Sequence, residues 1–105
     1  MDQREQRRAR RRALQAAYGA RYHQVSTILF RHDPVGINFA TNTDEYEPEV
    51  DTILPRLAGA RDVADVQRIV HEEMVRWFSA ATAGSADRYA ALAAEIWRAW
   101  RGDRG

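Results

Sequence analysis

Apolar side chains recur at intervals of three and four along most of this chain, and no stretch alternates apolar with polar residues as a half-buried strand does. That pattern predicts an all-α fold: a compact bundle of about four helices, with a long first helix and a short second one. The first stripe runs through Leu14, Ala17, Tyr18, Tyr22, Val25, Ile28 and Leu29, so one helix is expected from Gln3 to about Arg31. Asp33-Pro34 ends it, because proline lacks a backbone N–H and disfavours the α conformation in the residue before it. From Asp33 to Tyr46 the composition is that of a loop, with Val35, Ile37 and Phe39 available to anchor it.

Pro48 suits the first turn of the second helix, whose apolar face is Val50, Ile53, Leu54 and Leu57. Pro55 is expected to loosen its second half, and Gly59 to end it. Asp62 reads as the N-cap of a third helix with Val63, Val66, Ile69, Val70, Met74, Trp77 and Phe78 on its core face. Ser85 reads as the cap of a fourth, which turns Tyr89, Leu92, Ala93, Ile96, Trp97 and Trp100 inward. Residues 102 to 105 form a polar tail. At 105 residues there is length for one hydrophobic core and not for two, so a single domain over 1–105 is expected.

Charge is abundant but balanced: 16 basic residues, all arginine, against 15 acidic, for a formal +1. Electrostatic function must therefore come from local clusters. One is basic: Arg4, Arg7, Arg8, Arg10, Arg11 and Arg12 precede the first large apolar side chain of the stripe. With nothing to bury, residues 1–12 are expected to project or fray. Such an arm is either a solvated helix end or a grip on nucleic-acid phosphate, although no aromatic residue is interleaved with it.

The second cluster is acidic. Asp44, Glu45, Glu47, Glu49 and Asp51 surround Tyr46 and Pro48 at the start of the second helix. Carboxylates there complement the positive end of a helix dipole. The functional alternative is a docking patch for a basic protein, with Tyr46 as its aromatic anchor.

Catalytic signals are sparse. His71-Glu72-Glu73 lacks the second histidine of a helical His-Glu-x-x-His zinc site, since position 75 is Val75, and His23 and His32 stand apart. Ser26, Ser79 and Ser85 lie in no Gly-x-Ser-x-Gly turn, and the glycines are too scattered to cradle a phosphate. No enzyme activity, metal or cofactor is expected. Cysteine is absent, and no apolar run approaches the ~20 residues that cross a bilayer. A cytoplasmic protein without a membrane segment is expected, its oligomeric state open. Trp77, Trp97 and Trp100 fall at core spacing, with Trp100 expected to be the most exposed.

The order His32-Asp33-Pro34-Val35-Gly36-Ile37, then Asp44-Glu45-Tyr46, then the Ile53-Leu54 helix, resembles a family of small bacterial all-helical proteins. These carry an Asp-Pro-(Ile/Val)-Gly loop and an Asp-Glu-Tyr triplet, and some are immunity-like. The likeness spans about Val25 to Phe78, and the chain departs from it where Val75, instead of glycine, follows Met74. It implies a compact helical fold without catalytic residues. Together with the acidic cluster, the expected function is a non-enzymatic interaction domain, immunity-like, that binds a basic protein partner through Asp44, Glu45, Tyr46, Glu47, Glu49 and Asp51. The alternative is a nucleic-acid-associated regulator that uses the arginine arm.

Overall fold

The computed structural model describes residues 2–36 and 46–102. Among these there are no strands, and helices follow one another as α1 (Gln3–Tyr18), α2 (Ala20–His32), α3 (Glu47–Leu57), α4 (Val63–Phe78), α5 (Ala80–Ala83) and α6 (Ala90–Arg101), with a 3₁₀ turn at Ala86–Tyr89. The radius of gyration, 13.3 Å, is what a compact domain of about 100 residues has, near 13 Å. The all-helical expectation holds, but the described residues contain six α-helices and not about four. Ile37, Phe39, Asp44, Glu45 and residues 103–105 lie outside the described residues.

The expected first helix is two. Gly19 adopts φ 56 and ψ −129, a conformation that side-chain-bearing residues rarely take. Its N–H still closes the last turn of α1 onto the Gln15 carbonyl at 2.8 Å, after which α2 leaves in a new direction. Across this break α1 packs against α2 and α3. At the far end of α2, Asp33 takes the left-handed conformation, which aspartate tolerates better than most residues.

Pro48 lies in the first turn of α3 and Pro55 within the helix, as expected. The Asp62 side chain caps α4 by accepting from the Asp65 N–H at 2.8 Å. The expected Ser85 cap is not made: Ser85 offers no side-chain bond and precedes only the 3₁₀ turn. Ser79 caps α5 instead, accepting from the Thr82 N–H at 3.2 Å.

The core is pooled from four helices: Val25 and Leu29 of α2, Val50, Ile53, Leu54 and Leu57 of α3, Val66, Val70 and Met74 of α4, and Leu92, Ala93 and Ile96 of α6. α4 packs against both α3 and α6, and α2 closes against α3 and α6. Arg88 staples the 79–89 segment in place, its Nη1 donating to the carbonyls of Pro34, Thr82 and Ala83 at 2.9–3.1 Å. It lies so close to Gly84 that a Cβ there would meet the guanidinium at 2.6 Å.

Helix α1 differs from all of these. It has no buried residue; it packs mainly against α2 and α3, and Tyr18 at its end meets Trp100 of α6. One stripe runs its full length at spacings of three and four: Arg4, Arg7, Arg11, Leu14, Tyr18. Leu14 and Tyr18 pack against the core cluster, whereas Arg4 and Arg7 continue the same line out into solvent. The basic end is therefore a helix, capped by Asp2 accepting from the Glu5 N–H at 2.8 Å, and every residue from Asp2 to Arg10 is exposed.

Candidate functional site

The two charge clusters identified from the sequence have opposite fates. In the acidic one, Tyr46 is fully buried, and its hydroxyl donates to Asp33 Oδ1 at 2.7 Å while accepting from the Val35 N–H at 3.4 Å. It was expected as an exposed anchor. Instead it locks the end of α2 to the start of α3, which is what a phenol with an apolar ring and a polar tip does when a partner lies within the core. Glu49 and Asp51 are also buried, at 4% and 9% exposure, because α3 turns the whole of this face inward with Val50 and Leu54.

Asp51 is the hub. It accepts from the Tyr22 hydroxyl at 2.7 Å through Oδ1 and from Arg11 Nε at 3.0 Å through Oδ2, so one carboxylate joins α3 to α2 and α1. Glu47 adds a second contact to Arg11 at 3.6 Å. Burial, and then the bond to Asp51, push the Tyr22 phenol far above its ordinary pKa. Desolvation works against the Arg11 charge, but the Asp51 carboxylate outweighs it and the guanidinium is held above its usual value. Glu49 is less well compensated: its Oε2 is buried with no hydrogen-bond partner, and burial, with the Asp51 charge beside it, outweighs a backbone hydrogen bond and the Arg11 charge and raises its pKa. Of the expected docking patch, Asp44 and Glu45 lie outside the described residues, and the other four are drawn into the fold.

The basic cluster keeps its charge. Arg11 is the exception, pinned to Asp51 and so not part of the free arm it was expected to belong to. Arg4, Arg7, Arg8, Arg10 and Arg12 make no ion pair among the described residues. All five are exposed on a helix that projects beyond the core. Gln3, Arg4, Arg7, Arg8 and Arg11 line a shallow depression along this helix.

An aromatic residue does accompany the arm, from a distant part of the chain. A groove of about 280 Å³ is lined by Arg7, Arg10 and Arg11 of α1, Pro48, Asp51 and Thr52 of α3, and Trp77 of α4. Trp77 was expected in the core and Trp100 as the most exposed of the three tryptophans; Trp77 is the exposed one, and Trp100 is partly buried. Trp77 is 45% exposed, the one large apolar side chain that is exposed among the described residues. Trp100 is covered by Tyr18, with ring centroids 5.5 Å apart, and by the Arg21 guanidinium 5.1 Å from its centroid. The helical phase of α4 does point Trp77 along the core stripe. At that last turn, however, it meets Thr52, to whose Oγ1 its Nε1 donates at 2.9 Å, and beyond Thr52 it meets the arginines of α1. None of these buries the indole, which stays exposed.

Two of the three histidines make contacts within the fold, and His23 is exposed beside Tyr22. His71 Nε2 bonds with the Gly84 carbonyl at 2.9 Å, and His32 pairs with Glu95, which also takes Arg31. The bond to His32, and then the one to Arg31, hold the Glu95 carboxyl below its ordinary pKa. Among the described residues, no three His, Cys, Asp or Glu side chains converge to hold a metal ion. None of their helices is long and apolar enough to cross a membrane. No protein-family model, no curated protein and no solved structure matches this chain.

Proposed function

We propose that this protein is a non-enzymatic binding module that takes nucleic acid on the arginine face of α1. The observation that carries the reading is the set of five exposed arginines, Arg4, Arg7, Arg8, Arg10 and Arg12, left without ion pairs among the described residues on a helix that Arg11 fastens to Asp51. Cations at a helix N-terminus oppose its dipole, so the arm gains nothing locally from its charge. A polyanion supplies what the fold withholds, and the planar guanidinium suits phosphate in particular.

Two competing surfaces fit less well. A membrane surface asks for an apolar face to insert beside the charges, and from Gln3 to Arg12 the only apolar side chain is Ala9. A basic protein docked on the acidic segment, the immunity-like alternative, asks for exposed carboxylates, and Glu49, Asp51 and the Tyr46 anchor are buried.

The test is fluorescence anisotropy with a labelled DNA duplex and a labelled RNA strand at low salt. It compares the protein with the variant Arg4→Gln, Arg7→Gln, Arg8→Gln, Arg10→Gln. The expected result is binding by the protein and at least a tenfold weakening in the variant, since each arginine that neutralises a phosphate sets free condensed counterions and glutamine does not. Equal binding by both proteins, or none by either, overturns the reading.

A further inference from the structure

The groove beside the arm has a composition that phosphate binding alone does not require. Phosphate is satisfied by guanidinium groups in open solvent, whereas here three arginines share a concave site with an exposed indole. At about 280 Å³ the groove is at the small end of ligand pockets, roughly 300–1,000 Å³. It has room for one ring system. The Trp77 ring is fixed in orientation: Nε1 is tied to Thr52 Oγ1, and the residue is anchored to a helix whose preceding turn is buried at Glu73 and Met74. A rigid ring costs little entropy when something stacks on it.

Arg7 and Arg10 line the same groove, are exposed and make no ion pair among the described residues, so both are available to an anion beside a stacked ring. Arg11 and Asp51 close the inner wall with a pair already formed, and Pro48 contributes an apolar surface. An aromatic platform flanked by cations is the arrangement that binds unpaired bases with little regard for sequence, because every base has a π-face.

We infer that this groove is a base-stacking subsite, in which Trp77 receives one unpaired base of a single strand while Arg7 and Arg10 hold the adjoining phosphates. The inference rests on the nucleic-acid reading of α1 and adds to it a preference for single strands. In a duplex the bases are stacked on one another, and the platform has nothing to receive.

Three ligands of equal length, about 12 nucleotides, separate the contributions: oligothymidylate, the same backbone with its bases removed, and a duplex. Anisotropy titrations are run on the protein, on Trp77→Leu and on Trp77→Phe. Leucine keeps apolar bulk against Thr52 without an aromatic face, and phenylalanine restores the face; circular dichroism verifies that both variants are folded. The protein is expected to bind oligothymidylate about tenfold more tightly than the abasic strand. Trp77→Leu is expected to abolish that ratio, and Trp77→Phe to recover most of it. Equal binding of the thymidylate and abasic strands overturns the subsite, as does a ratio that Trp77→Leu leaves intact. If the strands still lose affinity in the four-arginine variant, the reading of α1 survives either result. Quenching of the Trp77 emission, taken as the difference between the protein and Trp77→Phe, by an acidic peptide and not by oligothymidylate also overturns the subsite, in favour of a carboxylate-rich protein ligand.

Discussion

The segment from Tyr46 to Asp51 and the arm from Arg4 to Arg12 are both dense in charge, yet one is absorbed into the fold and the other is not. In the first, the charged groups alternate in phase with Val50, Ile53 and Leu54, so the packing of α3 carries them inward and each must find a partner or bear the cost of desolvation. Tyr46 finds Asp33, Asp51 finds Tyr22 and Arg11, and Glu49 finds nothing for Oε2. In the second, the stripe that should meet the core is itself arginine, so the helix overhangs and its charges stay in water. Cluster density along a chain does not say which way the cluster faces; the apolar residues in phase with it do.

Substitutions in the buried segment should therefore cost stability, and substitutions in the arm should cost binding. The largest effect is expected at Tyr46. Tyr46→Ala removes a fully buried ring and its bond to Asp33, and denaturant unfolding should show a loss of about 3–5 kcal/mol. Next, Asp51→Ala leaves the Tyr22 hydroxyl buried without an acceptor and Arg11 without its strongest partner; a loss of about 2–3 kcal/mol is expected. Hydrogen exchange should rise along α1 in the same variant, because its tether to α3 is gone. A cost below about 0.5 kcal/mol for either substitution would remove the contrast.

Glu49 sharpens the comparison by reversing the sign. Its folded pKa is raised above the unfolded value, so the native state binds more protons between the two, and stability falls as pH rises through that window. Glu49→Gln should gain about 1 kcal/mol at neutral pH. The gain should shrink as pH is lowered from about 7 to about 4. A gain that is constant with pH would mean that the carboxylate is already solvated. The smallest effect on stability is expected in the arm: replacing Arg4, Arg7, Arg8 and Arg10 with Gln should shift unfolding by no more than about 0.5 kcal/mol.

Much of the scaffold is legible in the sequence, because α3, α4 and α6 each combine a full apolar stripe with a start signal or a stop. Pro48 and the Asp62 cap sit where the chain announces them. The break at Gly19 is not legible, since the apolar period runs through it and an isolated glycine is compatible with a helix. The 79–89 segment is hidden for a different reason. Four residues of α5 and four of a 3₁₀ turn are shorter than any periodic window, and Ser79 enters them at φ 125, a conformation that favours glycine.

For the candidate site, the arginines are plain because they are neighbours in sequence. Trp77 is not, because some 66 positions separate it from Arg11 (77 minus 11) and only the tertiary fold brings them to one groove. A weak signal is present: Thr52, not an apolar residue, faces the end of the α4 stripe, and the α1 stripe changes from Leu14 to Arg11 and Arg7 at the level where cover for an indole would be needed.

The central claim, that the charge of α1 is reserved for an external polyanion, is tested most directly by the slope of log affinity against log salt for a single strand. Removing Arg4, Arg7, Arg8 and Arg10 should flatten that slope by about 3, at roughly 0.7 per neutralised phosphate, and leave the melting temperature where it was. An unchanged slope, or a slope that falls only together with the melting temperature, would contradict it.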